Sequence, residues 1–385
     1  MQEMQLITRH RFARASVVAT GIGVILWAGG PGLRLQATGG ATVTVVASGL
    51  NDPRGIAFGP RRHMYVGEAG SGGGTLSTVG QCDQVQPPVG PFRGGMTGRV
   101  VEITAGGVPV AVADGLPSAE ASPLIGGDKQ GISDVAFLGN HLIALNSGAG
   151  CSHAHAEANN GILAVHRNGS TSLIADLSAW LLANPGAKGA EEPRSPDYEP
   201  DGTWYSMVVD DERIYAVEPN HGLLVSVNPF TSRVRLVKDL FATFGDHTYT
   251  ALALDRGDLY VGTLGQIAFQ PGVFPPVPDF ANSFEAGIYR LSGNGRAAKV
   301  VDGLHAVLGI AFDRHHRLYV LQSPIFIPGT GSLVRVDRQG RLETVVSGLV
   351  FPSSLRRGPD DALYISECGY HCSPGEGRIL RVAVD

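Results

Sequence analysis

A chain of 385 residues with 53 glycines and 24 prolines has one residue in five from this pair. The pair averages roughly 12% of a protein, so turns punctuate this sequence densely. Charged residues are only 17% and hydrophobic ones 43%, which excludes a disordered chain, and no G-X-Y period supports collagen. The formal net charge of −5 gives no electrostatic footprint for phosphate backbones, so nucleic acid is not an expected partner.

The N-terminus reads as an export signal. Arg9, Arg11 and Arg14 precede an apolar stretch over 15–28, followed by Gly29, Gly30 and Pro31. A further small-residue site, Leu35-Gln36-Ala37, is open to cleavage after Ala37. The apolar stretch is short of the ~20 residues a transmembrane helix needs. Residues 1–37 are therefore expected to be a signal peptide and 38–385 the exported domain, secreted or periplasmic, with no membrane span after cleavage. Export places Cys82, Cys151, Cys368 and Cys372 in an oxidising compartment, where four cysteines allow three pairings. The short segment Cys368-Gly-Tyr-His-Cys372 is able to close on itself, which leaves Cys82 with Cys151. The competing reading is a zinc site built from Cys151, His153, His155, His371 and Cys372, whose spacing matches no strong zinc pattern.

From residue 40 onward one phrase recurs: a short apolar run, a tight turn, and a second strand around an aliphatic or aromatic residue. Its six copies run from Gly55-Ile-Ala-Phe to Tyr65, from Asp134-Val-Ala-Phe to Ile143, and from Ser206-Met-Val-Val to Tyr215. They continue from Ala251-Leu-Ala-Leu to Tyr260, from Gly309-Ile-Ala-Phe to Tyr319, and from Ser354-Leu-Arg-Arg to Tyr364. A third strand and a fourth, the latter ending in Asp-Gly-Leu or Ser-Gly-Leu at 114–116, 302–304 and 347–349, complete the unit. Four short strands per unit and a minimal period of 45 residues predict an all-β fold, a six-bladed β-propeller. The sixth unit ends after its third strand. Thr42-Val-Thr-Val-Val-Ala-Ser-Gly-Leu50 reads as the missing fourth, so the N-terminal strand is expected to close the C-terminal blade.

Connections between first and second strands, and between third and fourth, are tight. The others are long, as at 70–97, 148–160 and 177–203, and all emerge on one end of the ring. That loop-rich face is the expected site. Leu177–Ala183 is expected to hold a short helix there. Around the mouth, the residues starting the inner strands predict a shallow pocket for a planar or sugar-like ligand. It is stacked on Trp204, Tyr205 and Tyr249 and steered by Arg54, with Asp134 and His247 as nearby titratable groups. The opposite expectation is that these residues merely plug a narrow channel. A second level, at the ends of the second strands, carries Glu68, Asn146, Glu218 and Glu367, an oxygen set that would suit Ca²⁺. Against that, each can accept backbone N–H bonds where its strand frays into a loop, the reading the repeat favours.

Ser48-Gly-Leu-Asn-Asp-Pro-Arg-Gly-Ile-Ala-Phe-Gly-Pro60, Val66-Gly-Glu-Ala-Gly-Ser-Gly-Gly-Gly74, Glu199-Pro-Asp-Gly-Thr-Trp-Tyr-Ser-Met207, Ala216-Val-Glu-Pro-Asn-His-Gly222 and Tyr364-Ile-Ser-Glu-Cys-Gly369 resemble the ScyD/ScyE family of exported propellers. The resemblance covers nearly all of 38–385. It implies a six-bladed NHL/SMP-30-like fold and carries over no catalytic residues. Calcium-dependent lactonases on six blades resemble one another in bearing Pro-Asn-Gly or Pro-Asp-Gly at inner-strand starts. Here those places hold Arg54, Ser133, Tyr205, Thr250, Leu308 and Ser353, and Pro200-Asp201-Gly202 sits four residues too early. The expectation is thus a binding or scaffold protein whose loop-rich face takes a small molecule, glycan or protein partner, with a Ca²⁺-dependent hydrolase or lactonase as the alternative.

Overall fold

The computed structural model describes residues 35–192, 198–210, 212–265, 285–293, 295–324 and 327–384. Six antiparallel sheets stand around an axis; four are meanders of consecutive strands, and two add an outermost strand from the N-terminal segment. Their first strands are Pro53–Phe58, Ile132–Leu138, Ser206–Asp210, Tyr249–Asp255, Val307–Phe312 and Ser354–Arg357. Each touches the first strand of the next sheet, and the last touches the first again, so these strands line the axis of a closed ring. The six-bladed propeller expected from the repeat is what the chain forms.

The phrase is continuously apolar because both faces of a blade are buried. Each pair of neighbouring blades encloses its own hydrophobic cluster: Val100 with Ile132 and Val135 between blades one and two, Leu145 with Met207 and Val225 between two and three, Val217 with Leu252 and Val261 between three and four. The seams of blades four with five, five with six, and six with one are filled in the same way. A strand facing water on one side would alternate; these do not.

Ring closure follows the expectation. Thr42–Leu50 pairs antiparallel with Gly377–Ala383, with Val45 opposite Leu380. Stitching between blades six and one is reinforced by Ser353 Oγ donating to Pro53 O at 2.6 Å and Ser366 Oγ donating to Arg54 O at 2.5 Å. Two additions were not expected. Lys129–Gln130 forms a fifth strand on blade one. Gln36–Ala37, inside the segment read as signal peptide, forms a fifth strand on blade five, opposite Ser347 and Val346. The rest of that segment, 1–34, lies outside the described residues. Among the described residues, no helix is long and apolar enough to cross a membrane.

The helix Leu177–Ala183 is present. Asp176 caps it, accepting from the backbone N–H of Ala179, and Leu177 and Leu181 are buried on its inner side. Both cysteine pairs are closed, Cys82–Cys151 across 69 residues and Cys368–Cys372 across four. The first joins long loops of blades one and two. Because Cys151 is bonded to Cys82, and Cys372 to Cys368, the zinc reading has no thiolates left.

Candidate functional site

The polar residues that end the second strands do not converge. Glu68 is fully buried, accepts from Asn51 N–H at 2.8 Å, and is paired with Arg99. Glu218 accepts from Thr203 N–H at 3.1 Å and His221 N–H at 2.5 Å; burial pushes its carboxyl up to about 7. Glu367 accepts from Val350 N–H at 2.6 Å and is paired with Arg378. Asn146 Oδ1 faces Gly148 N–H at 3.3 Å. Gln322, the equivalent of these residues in blade five, accepts from His305 N–H at 2.9 Å. Four of the six blades thus use one device: the residue ending the second strand clamps the connection that enters the inner strand. No three His, Cys, Asp or Glu side chains among the described residues are grouped to hold a metal. The donor set proposed for Ca²⁺ is committed to backbone and arginine instead.

The inner strands separate two levels that adjoin in sequence. Trp204 and Tyr249, with Ile132 and Val307 at the same level, are essentially buried and point into the seams. Trp204 packs with Leu145, Met207 and Val225. Tyr249 donates its hydroxyl to Leu240 O and Gly245 O at 3.1 and 2.9 Å. Neither ring offers a face to a ligand. Successive side chains of a strand point to opposite sides, so it is the next residue, Tyr205, that enters the axis. Its hydroxyl donates to Ser353 O at 3.1 Å. Blades three and six are opposite each other, so Tyr205 spans the channel. His247 lies elsewhere, bonded to Phe244 O at 3.0 Å and set beside Tyr249 and Tyr289.

Beside Tyr205 the channel narrows to a cavity of about 20 Å³, lined in part by Ser133, Asp134, Ser206, Ser354 and Arg356. That is room for a water molecule, not a sugar. Asp134, from blade two, meets Arg356, from blade six, at 3.1 Å. Blade one stands between them and carries Gly55 there; a Cβ on Gly55 would collide with the Asp134 carboxylate. Asp134 also accepts from Val135 and Met207 N–H, both at 2.9 Å. Burial raises its carboxyl above the usual range, with Arg356 working in the opposite direction. Arg356 was not singled out from the sequence.

Above Tyr205, at the loop-rich end, a second set of charges gathers. Arg54 pairs with Asp128 at 3.2 Å and donates to Lys129 O. Lys129 Nζ reaches Asp52 at 2.9 Å and Cys372 O at 3.3 Å. Tyr370, carried by the Cys368–Cys372 loop, is buried beside Phe351; burial raises its hydroxyl above the ordinary value, Tyr205 adds to that, and Ser323 and Arg54 work in the opposite direction. One buried atom in this group, Asp52 Oδ1, has no hydrogen-bond partner, while the Tyr370 hydroxyl has Ser323 within reach. Burial raises the Asp52 carboxyl despite Lys129. Of the six residues expected at the mouth, Arg54 and Tyr205 belong to it, Asp134 lies deeper on the axis, and Trp204, His247 and Tyr249 are elsewhere.

A third polar cluster joins the long loops of blades two and three. His153 is fully buried, with Nε2 at 3.1 Å from Glu199 and Nδ1 at 3.3 Å from Asp201. Ser152 donates its N–H to Asp201 at 2.8 Å, and its hydroxyl also bonds that carboxylate. Burial opposes the charge on His153, but Glu199 and Asp201 outweigh it and lift the imidazole to about 10. His155 is bound separately, to Ser118 O at 2.9 Å. The Pro-Asp-Gly letters at 200–202 therefore serve a buried ion pair, not the axis.

No family model and no curated protein matches this chain. Solved structures do. The gluconolactonase of Xanthomonas campestris aligns with a TM-score of 0.52 at 13% identity, covering 90% of this chain and 91% of its own. A putative glucose dehydrogenase of Thermus thermophilus aligns at 0.52 and 15%, covering 89% and 100%. An auxiliary nutrient binding protein of Bacteroides thetaiotaomicron aligns at 0.51 and 9%, covering 89% and 76%. The likeness is one of fold.

Proposed function

We propose that this chain is an exported binding propeller of the ScyD/ScyE kind, taking a small molecule, glycan or protein partner at the loop-rich mouth of its ring. One observation carries the reading. Where a cation-dependent hydrolase on six blades needs free, converging carboxylates, this mouth holds the pairs Arg54–Asp128 and Lys129–Asp52 above a channel spanned by Tyr205. The Arg54 guanidinium and the Lys129 ammonium already neutralise the two carboxylates there, which leaves no net negative charge to hold a divalent ion. What the group offers instead is hydrogen bonding, from a buried acceptor on Asp52 without a partner and from the buried hydroxyl of Tyr370 beside it. Such groups favour whatever completes them. The closed cysteine pairs accord with an oxidising compartment.

The gluconolactonase and the nutrient binding protein share only the fold with this chain, so they leave hydrolase and binder equally open. The residues at the mouth favour the binder.

An array of immobilised oligosaccharides, probed with the intact chain and with Arg54→Ala, tests this. The intact chain is expected to bind a defined subset without added Ca²⁺, and Arg54→Ala to lose at least about tenfold in affinity, the equivalent of one charge-assisted hydrogen bond. Binding that is unchanged in Arg54→Ala, or that requires Ca²⁺, would contradict the mouth as the site.

A further inference from the structure

Two small-residue sites follow the apolar N-terminal stretch, one in 28–32 and one at Leu35-Gln36-Ala37, and residue type alone leaves both open to a signal peptidase. The fold treats them differently. Gln36 and Ala37 pair with Ser347 and Val346 on the outermost strand of blade five. Thr38 continues the ladder, donating its N–H to Val345 O at 3.0 Å, while its hydroxyl bonds Thr344 O. Leu35 packs against the hydrophobic cluster between blades five and six, together with Ala41 and Val43. After a turn in which Ala41 N–H bonds Thr38 O, the same chain becomes the closing strand Thr42–Leu50 of blade six. The arm 35–41 therefore straps blade five to blade six, immediately beside the joint on which ring closure depends.

We propose that the leader is removed upstream of Leu35, within 28–32, and that the mature protein keeps Leu35, Gln36 and Ala37 as a working part of the ring. The step is the hydrolysis of one peptide bond by a signal peptidase. Water adds across the amide, leaving a carboxylate on the leader and an amine on the mature chain. Cleavage after Ala37 would have three consequences. It would uncover the outer edge of Leu342–Leu349, which carries unpaired backbone groups open to pairing with another chain. It would strip Leu35 from the cluster it packs against. It would also turn the Thr38 N–H, a ladder donor, into a charged terminus. Cleavage within 28–32 does none of these.

N-terminal sequencing and intact mass of the protein recovered after export from a secreting bacterial host read the cut directly. A first residue within 29–33 is expected; an uncut chain, or a first residue at or after Gln36, would overturn the proposal. The strap itself is read by comparing chains that begin at Gly29 and at Thr38. The shorter chain is expected to melt a few degrees lower and to show faster amide exchange in 342–349. Equal melting and equal exchange would show that residues 35–37 do not work as a strap, whatever the cut.

Discussion

Trp204→Ala should destabilise the propeller by roughly 3–5 kcal/mol, the range for removing a large buried aromatic ring, and Tyr249→Ala should fall near the lower end. Trp204 has no exposed surface and sits among Leu145, Met207 and Val225 in the seam between blades two and three. Tyr249 additionally leaves two carbonyls without their donor. Urea denaturation followed by tryptophan or tyrosine fluorescence measures both. The seam placement requires a large loss of stability with little change in ligand affinity per folded molecule. Loss of ligand binding at unchanged stability would put these rings back at the mouth.

Removing His153 should be as costly for a different reason. Its imidazolium is the counter-charge for Glu199 and Asp201, both nearly as buried as His153 itself. Truncating one partner of a buried ionic group costs about 3–5 kcal/mol, because the remaining charges are left uncompensated. The pH dependence gives a sharper signature. The folded imidazole is lifted to about 10 from an ordinary value of 6.5. Between those values the unfolded chain releases the proton while the folded chain keeps it. The stabilisation is thus complete below 6.5 and is lost as pH rises through about 10, at up to about 1.4 kcal/mol per unit. His153→Gln should flatten that slope between about pH 7 and 10. An unchanged slope would show that the histidine is not the titrating latch.

The architecture was legible because a propeller repeats its own rules. Six copies of one phrase, apolar on both faces but for a few departures, require six seams, and a last unit short of a strand requires one from elsewhere. Thr42–Leu50 could be matched to that vacancy by its Ser-Gly-Leu ending alone. The mouth was half legible. Arg54 and Tyr205 stand at one level of the inner strand and Trp204 and Tyr249 at the level before it; a strand sends these to opposite sides, so pooling them mixed axis with seam. Arg356 was missed although the repeat marks it. Five copies carry Ala or Val at its position, and Asp134 breaks a Gly, Ser or Ala level in the same way. Two charged departures of opposite sign in one repeat are a signal for a pair, and Gly55 is the gap through which they meet. The clusters at Asp52–Lys129 and His153–Glu199–Asp201 join loops of unequal length from different blades. No period relates those residues, so only the fold brings them together.

Calorimetric titration of the intact chain with CaCl₂, at neutral pH and without competing chelator, bears most directly on the claim that fixed ion pairs and backbone bonds, not a metal, occupy the axis and its mouth. No saturable heat and no shift in melting temperature are expected at millimolar Ca²⁺. Stoichiometric binding that Glu218→Gln or Glu367→Gln abolishes would contradict that claim and bring back the cation-dependent hydrolase.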